Sequence, residues 1–349
     1  MKTIELTDLD RRIWEEELDE FVPKRVFDVH THAYRWAFNT DPQKDMGAAY
    51  SFIGRDFPEA DWAALELCDR LLMPGREVHR LAFPFPFSPG CDFPASNEFV
   101  IRQTQQDAAS AALMLVHPSM SADFLDAEAE RCGFLGFKPY RTYSTTGDAS
   151  QCRITDFLPT HQIEVAHRRG LIIMLHLSKR NALADPQNLD DLALLTDQYP
   201  DAKWILAHCA RSYSSWAIEK AAGRLRALRN VWYDTSSVCE TDAFDALYSA
   251  AGIERVMYGS DDIPIGVTRG KYITFGFAWT FLSEHNHSLS LAHADSRMTF
   301  TRYEQLRAMS RAARRAGLAQ QQIEMMFYGT AAALIKSARH GVSRKLSTL

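Results

Sequence analysis

At 349 residues, with 46% apolar and 24% charged side chains, the chain is long enough for one large or two ordinary domains. That balance excludes disordered, collagen-like and membrane-spanning classes. A formal charge of −5, with no Lys/Arg block outside a short C-terminal stretch (Arg339, His340, Arg344, Lys345), argues against nucleic acid as a partner.

The N-terminus, MKTIELTDLDRRIWEEELDEF, is acidic and amphipathic and predicts a helix near residues 8–20. It lacks the apolar core of an export signal, so a cytoplasmic protein is expected. The six cysteines are scattered with no C-x-x-C pair, a pattern of reduced, buried thiols. The longest uncharged run, YITFGFAWTFLS, falls well short of the ~20 residues that span a bilayer, and no membrane association is expected.

Eight short apolar runs then follow in order: RVFDVH, HRLAFPF, ALMLVHP, LGFKPY, LIIMLHLS, KWILAHC, VWYDTSS and RVMYGSD. Helical patterns separate them. In TDFLPTHQIEVAHRRG, Thr155 is expected to cap the start and Gly170 to sit past the end. Strand–helix alternation at a spacing of roughly 25–35 residues implies a parallel sheet, and eight such units close a barrel. The competing architecture, a doubly wound open sheet, lacks its usual Gly-rich turn after the first strand. The expected fold class is therefore α/β, a (β/α)8 TIM barrel. A bare barrel needs about 250 residues, which leaves the N-terminal helix and insertions over 33–78 and 262–300, all within a single decorated domain.

The chemistry gathers at the strand ends. The first strand closes as FDVHTHAY, and period-two alternation puts His30 and His32 on one side with Asp28 below them. The fifth strand ends at His176, the sixth at His208 and the eighth at Asp261, each a polar residue terminating an apolar run. In a barrel these ends converge, so four imidazoles and a carboxylate surround one point suited to a metal.

This order, H-x-H, His, His, then G-S-D, resembles the amidohydrolase superfamily, specifically its second large family of metal-dependent decarboxylases, lactonases and related hydrolases. The Asn97 region followed by LMLVHP, the GFLGFKPY strand and the terminal GLAQQQIEMMFYGTAAALI add to the likeness. It covers about residues 25–337, is specific at strands one, five, six and eight, and is loose in both insertions. Thr330 stands where the family often has Asn. The resemblance implies that His30, His32, His176 and Asp261 ligate one divalent metal, with His208 beside it. Such a donor set leaves room for a water whose pKa falls towards 7. Asp261 would accept the water proton and His208 would polarise or protonate the substrate. Zinc is the expected metal, and manganese or iron suits the same ligands. Some relatives carboxylate a lysine on the fourth strand to bridge two metals, but one metal is the expectation here.

Gly136, Lys138 and Tyr140 share a face, so Lys138 is expected to point into the barrel, ready for a substrate carboxylate or carbonyl. Arg141, Arg180 and Arg211 follow strands four, five and six on loops that should rim the pocket, which favours a small anionic substrate. Tyr140, Tyr143 and the aromatic run Tyr272, Phe275, Phe277, Trp279 and Phe281 suit an organic ring, ordinary packing, or a subunit interface in a homo-oligomer. The leading functional expectation is hydrolysis of a carboxylate-bearing amide or lactone through metal-activated water. Non-oxidative decarboxylation of an aromatic or enoic acid is the alternative, and an inactive metal-binding scaffold a minor one.

Overall fold

The computed structural model describes residues 2–42, 50–87, 90–287 and 293–346, with side chains as far as 342. Parts of both expected insertions (43–49 and 288–292), and the side chains of Arg344 and Lys345 in the basic stretch, lie outside the described residues.

Each of the eight apolar runs holds a strand: β1 (Arg25–His32), β2 (Glu77–Phe83), β3 in two pieces (Ala111–Ala112 and Met114–Val116), β4 (Gly136–Pro139), β5 (Ile172–Leu175), β6 (Lys203–Leu206), β7 (Val231–Asp234) and β8 (Val256–Met257). Neighbours pair in parallel, in a three-stranded and a six-stranded ladder. The ladders meet within β3, where Leu113 N–H donates to Ala82 O (2.9 Å) and Leu135 N–H to Ala112 O (3.0 Å). The circuit closes past the end of β8. Val29 N–H donates to Tyr258 O (3.0 Å), Asp261 N–H to His30 O (2.9 Å) and His32 N–H to Asp262 O (2.5 Å). The architecture is a TIM barrel with insertions after the first and eighth strands.

Strands of such a barrel are buried on both faces, so both alternating sets must be apolar. Phe27, Val29, Leu81, Phe83, Ile172, Met174, Ile205 and Met257 fill the interior. Val26, Ala82, Val116, Phe137, Ile173, Trp204 and Tyr233 pack outward under the helices. In β1 the alternation slips: Asp28 pairs with Arg80 and Thr31 with Ala82, three steps against two. This bulge puts Asp28 on the outer face while His30 and His32 remain inside, so the expectation of Asp28 below the two histidines does not hold.

Two local expectations also change. Thr155 caps nothing: a short helix Ile154–Phe157 is followed by a separate helix Thr160–Arg169. Pro159 divides them by disfavouring helical backbone at Leu158, and Gly170 ends the second helix in the left-handed region (φ 60°) as expected. The N-terminal segment is helical over Asp8–Ile13 and continues as a wider π turn, Trp14–Leu18. The second insertion forms an antiparallel hairpin, β9 (Gly270–Phe275) and β10 (Ala278–Ser283), which the sequence reading did not foresee. No helix among the described residues is long and apolar enough to cross a membrane.

Close approach of β4 and β5 depends on Gly136, where an added Cβ would lie 1.9 Å from Ile172 O. A backbone oxygen in a ladder cannot move aside. Gly136→Ala is expected to lower stability by about 1–3 kcal/mol, measured as a reduced denaturation midpoint.

Candidate active site

His30, His32 and Asp261 converge at the C-terminal end of the barrel. His30 Nε2 lies 3.5 Å and His32 Nε2 3.3 Å from Asp261 Oδ1. One donor atom from each of the three lies within 4.8 Å of the others, a spacing suited to one cation. All three side chains are buried.

The tautomers follow from their partners. His30 Nδ1 faces Asp234 Oδ2 at 2.9 Å, and an ionised carboxylate only accepts, so Nδ1 carries the proton. Nε2 is left as a buried acceptor with no hydrogen-bond partner among the described residues, which is what a metal ligand requires. Asp261 Oδ2 is tied by Ser237 Oγ–H at 2.6 Å, leaving Oδ1 on the imidazole side. The donor set therefore fits a divalent metal.

His208 stands beside this group, its ring centroid 4.7 Å from that of His30 and 5.2 Å from that of His176. It opens a run of four left-handed residues, His208, Cys209, Ala210 and Arg211 (φ 50–60°), costing roughly 1–2 kcal/mol per residue. The turn is held because Asp234 Oδ1 accepts His208 N–H (2.9 Å) and His208 O accepts Ser212 N–H (2.9 Å). His208 Nδ1 donates to Ser236 O at 3.1 Å, which leaves Nε2 basic. His176 lies next to His208 and outside the close group of three, with Nδ1 3.3 Å from Leu177 O.

Burial governs the protonation states. It lowers the pKa of His30 and His32, holds His176 well below its ordinary value, and brings His208 down to about 4. All four imidazoles are thus neutral near pH 7, the form that ligates. Burial alone would raise the carboxyls of Asp234 and Asp261, but the adjoining histidines outweigh it and keep both ionised.

Lys138 points into the barrel, fully buried, its Nζ 4.5 Å from the Phe83 ring centroid and 4.8 Å from that of Tyr140, with no hydrogen-bond partner among the described residues. Burial lowers its pKa to about 7. Tyr140 is buried between Lys138 and His176.

Arg141 and Arg211 are partly buried. Arg141 is anchored to Ala149 O (2.7 Å), and Arg211 to Lys179 O (2.5 Å) and over the Trp279 ring. Neither meets a carboxylate among the described residues, and burial together with the charge of Arg141 lowers Arg211 to about 10. Arg180 is not brought to the site. Lys179 adopts φ 63° and the loop carries Arg180 out to solvent.

The aromatic run divides. Tyr272 and Trp279 stack on Tyr213, with centroids 4.5 and 5.3 Å apart, and Tyr213 stacks on His208 at 6.0 Å. Phe281 packs on Tyr272, Phe275 and Phe277 are exposed near the hairpin tip, and Tyr143 packs against Phe93 and His117. Sequence reasoning missed Asp234, Ser236, Ser237 and Tyr213. The run VWYDTSS carried the same signal as the other strands, a polar residue closing an apolar run.

An amidohydrolase family model matches residues 27–336. Solved structures that share the fold include the following three. The 5-carboxyvanillate decarboxylase of Sphingomonas paucimobilis is 14% identical, with TM-score 0.56, covering 90% of this chain and 99% of that one. A putative 2-pyrone-4,6-dicarboxylic acid hydrolase of Pseudomonas putida is 15% identical, with TM-score 0.54, covering 90% and 99%. A dihydroxybenzoic acid decarboxylase of Polaromonas sp. JS666, solved with manganese and the inhibitor 2-nitroresorcinol, is 13% identical, with TM-score 0.55, covering 90% and 97%. No curated protein matches the chain.

The histidine shifts set a pH dependence. A group whose folded pKa lies below its ordinary 6.5 binds a proton more readily when unfolded, so its contribution to stability is complete above pH 6.5 and lost on acidification. The metal-free protein is therefore expected to lose thermal stability progressively between about pH 6.5 and pH 4, where His208 titrates. A flat melting temperature across that window would contradict the assigned burial.

Proposed function

The chain belongs to the amidohydrolase family, a family of enzymes, and on that premise we propose that it is a metal-dependent hydrolase of a small amide or lactone that carries a carboxylate. The observation that carries this reading is the convergence of His30, His32 and Asp261, with His208 held beside them by Asp234. His30, His32, His176 and Asp261 would hold one divalent ion, and zinc, manganese or iron suits these donors. When bound, the ion would polarise a carbonyl and lower the pKa of a water.

The chain's own groups supply the rest. Asp261 Oδ1, which lies on the imidazole side, would accept the proton that the attacking water gives up as its oxygen bonds to the carbonyl carbon. His208, whose own proton sits on Nδ1 against Ser236 O, would take the water's proton at Nε2 and pass it to the leaving nitrogen or oxygen as the C–N or C–O bond breaks. Arg141 and Arg211, two guanidiniums without carboxylate partners among the described residues, support an anionic group set away from the reacting carbonyl. Lys138 favours a second reading, non-oxidative decarboxylation. In its protonated form this amine, without a hydrogen-bond partner among the described residues, could hold the scissile carboxylate while His208, after taking a solvent proton at Nε2, gives it to the carbon left behind as CO₂ departs.

Elemental analysis is expected to find about one divalent ion per chain, lost in His30→Ala and Asp261→Ala. His208→Asn should keep the ion while turnover falls by roughly 10²–10⁴-fold. Equal metal loss in His208→Asn and His176→Asn would reverse their assigned roles. In an assay across N-acyl amino acids, lactones and aromatic or enoic acids, label from ¹⁸O water in a new carboxylate supports hydrolysis. CO₂ release without label would replace it with decarboxylation.

A further inference from the structure

Two aspartates stand side by side after β8, and only one faces the histidines. Asp261 adopts φ 63° and turns inward to His30 and His32. Asp262 turns the other way, into a buried cluster of charge behind the barrel wall. There Arg302, on the helix Thr301–Arg315, pairs with Asp262 through one nitrogen and with Asp69 Oδ1 through the other at 2.9 Å. Asp69 also pairs with Arg80 of β2. Asp28 completes the cluster, accepting His30 N–H (3.0 Å), Ser260 N–H (2.9 Å) and Ser260 Oγ–H, while Ser260 Oγ accepts Asp262 N–H at 3.0 Å. These five charged residues are between 1% and 7% exposed.

The cluster is fastened to the backbone of both ligand-bearing segments. Arg302 N–H donates to Gly266 O (3.0 Å), and Gly266 N–H to Asp261 O (3.3 Å). Gly266 is needed there, because a Cβ would lie 2.0 Å from Asp262 Oδ1. Three carboxylates (Asp28, Asp69, Asp262) face two guanidiniums (Arg80, Arg302) with little solvent to screen them. Without Arg302, Asp262 would be a buried carboxylate with no cation of its own, one peptide bond from a site built to attract carboxylates to a cation. Breaking one side of such a pair leaves an uncompensated charge that must find another partner.

We propose that Arg302 is a positioning residue for the metal centre: by holding Asp262 behind the barrel wall, it makes Asp261 the carboxylate that faces His30 and His32. The proposal rests on the metal-site reading above, and the test separates the two.

Metal-free protein is titrated with Co²⁺, following the visible ligand-field bands and the dissociation constant, with thermal unfolding recorded for each variant. Arg302→Met is expected to weaken Co²⁺ binding by roughly 10–100-fold, the range for residues that orient metal ligands, and to shift the bands as Asp262 competes. Arg302→Lys, which keeps the charge, should recover most of the affinity. Adding Asp262→Asn to Arg302→Met removes the competing carboxylate and should restore the wild-type bands. If Arg302→Met does not fold, Arg302→Gln takes its place with the same expectation. Wild-type affinity and bands in a folded neutral variant would overturn the proposal, as would a lowered melting temperature with unchanged bands. Absence of Co²⁺ binding by the wild type, or binding unaffected by Asp261→Ala, would instead overturn the metal-site reading.

Discussion

The arrangement turns on the carboxylate of Asp234. It is fully buried at the end of β7, yet it accepts from His30 Nδ1 on β1, from His208 N–H after β6, and from the N–H and Oγ–H of Ser236. An isolated carboxylate at this depth would cost several kcal/mol, and four donors offset that cost only if all are in place. One anion therefore fixes the tautomer of His30, the left-handed turn that aims His208, and the approach of three strands. The imidazole nitrogens that face Asp261 are set by what happens on the far side of the rings, so a partner carboxylate matters as much as the groups in front of them.

A second consequence concerns strain. His208, Ser237 and Asp261 all sit at positive φ, a conformation unfavourable for residues with a Cβ. Hydrogen bonds hold all three: His208 to Asp234, Ser237 and Asp261 to one another, and Asp261 also to the backbone of His30. The strained residues are thus held by buried hydrogen bonds anchored in the barrel, a pattern expected where preorganised geometry is needed for chemistry. Tyr213, Tyr272 and Trp279 add a layer of stacked rings over His208, so the imidazole is constrained on its face as well as through its nitrogens.

The barrel was legible because its strands are apolar on both faces and recur eight times, a pattern few folds produce. His30, His32, His208 and Asp261 were legible because each interrupts an apolar run at the same end. Asp28 was misplaced because the bulge in β1 has no mark in the sequence. Alternation there slips by one residue only when the strand meets β2. Arg180 and Arg211 read alike as loop arginines, and only the backbone turns separate a guanidinium over Trp279 from one in solvent. Asp234 was overlooked because the sequence alone does not separate a carboxylate that orients a histidine from one that merely ends a strand.

The division between barrel and loops bears on how the reaction is chosen. His30, His32, Asp234 and Lys138 project from strands or their ends, where hydrogen bonds to neighbouring strands leave little freedom. Arg141, Arg211 and Tyr213 come from loops, and Tyr272 and Trp279 from the hairpin that follows β8. A change in loop sequence can therefore alter where an anion is held while the imidazoles and Asp261 stay fixed. Hydrolysis and decarboxylation make opposite demands on that distance. A scissile carboxylate must lie against the cation site, whereas a hydrolysed carbonyl needs its carboxylate farther off. This chain offers a basic group at each place, Lys138 inside the barrel and Arg141 and Arg211 on the loops. Only the loops offer two forked guanidiniums without a carboxylate partner among the described residues, and it is on these that the proposal of a substrate whose carboxylate is held rather than consumed rests.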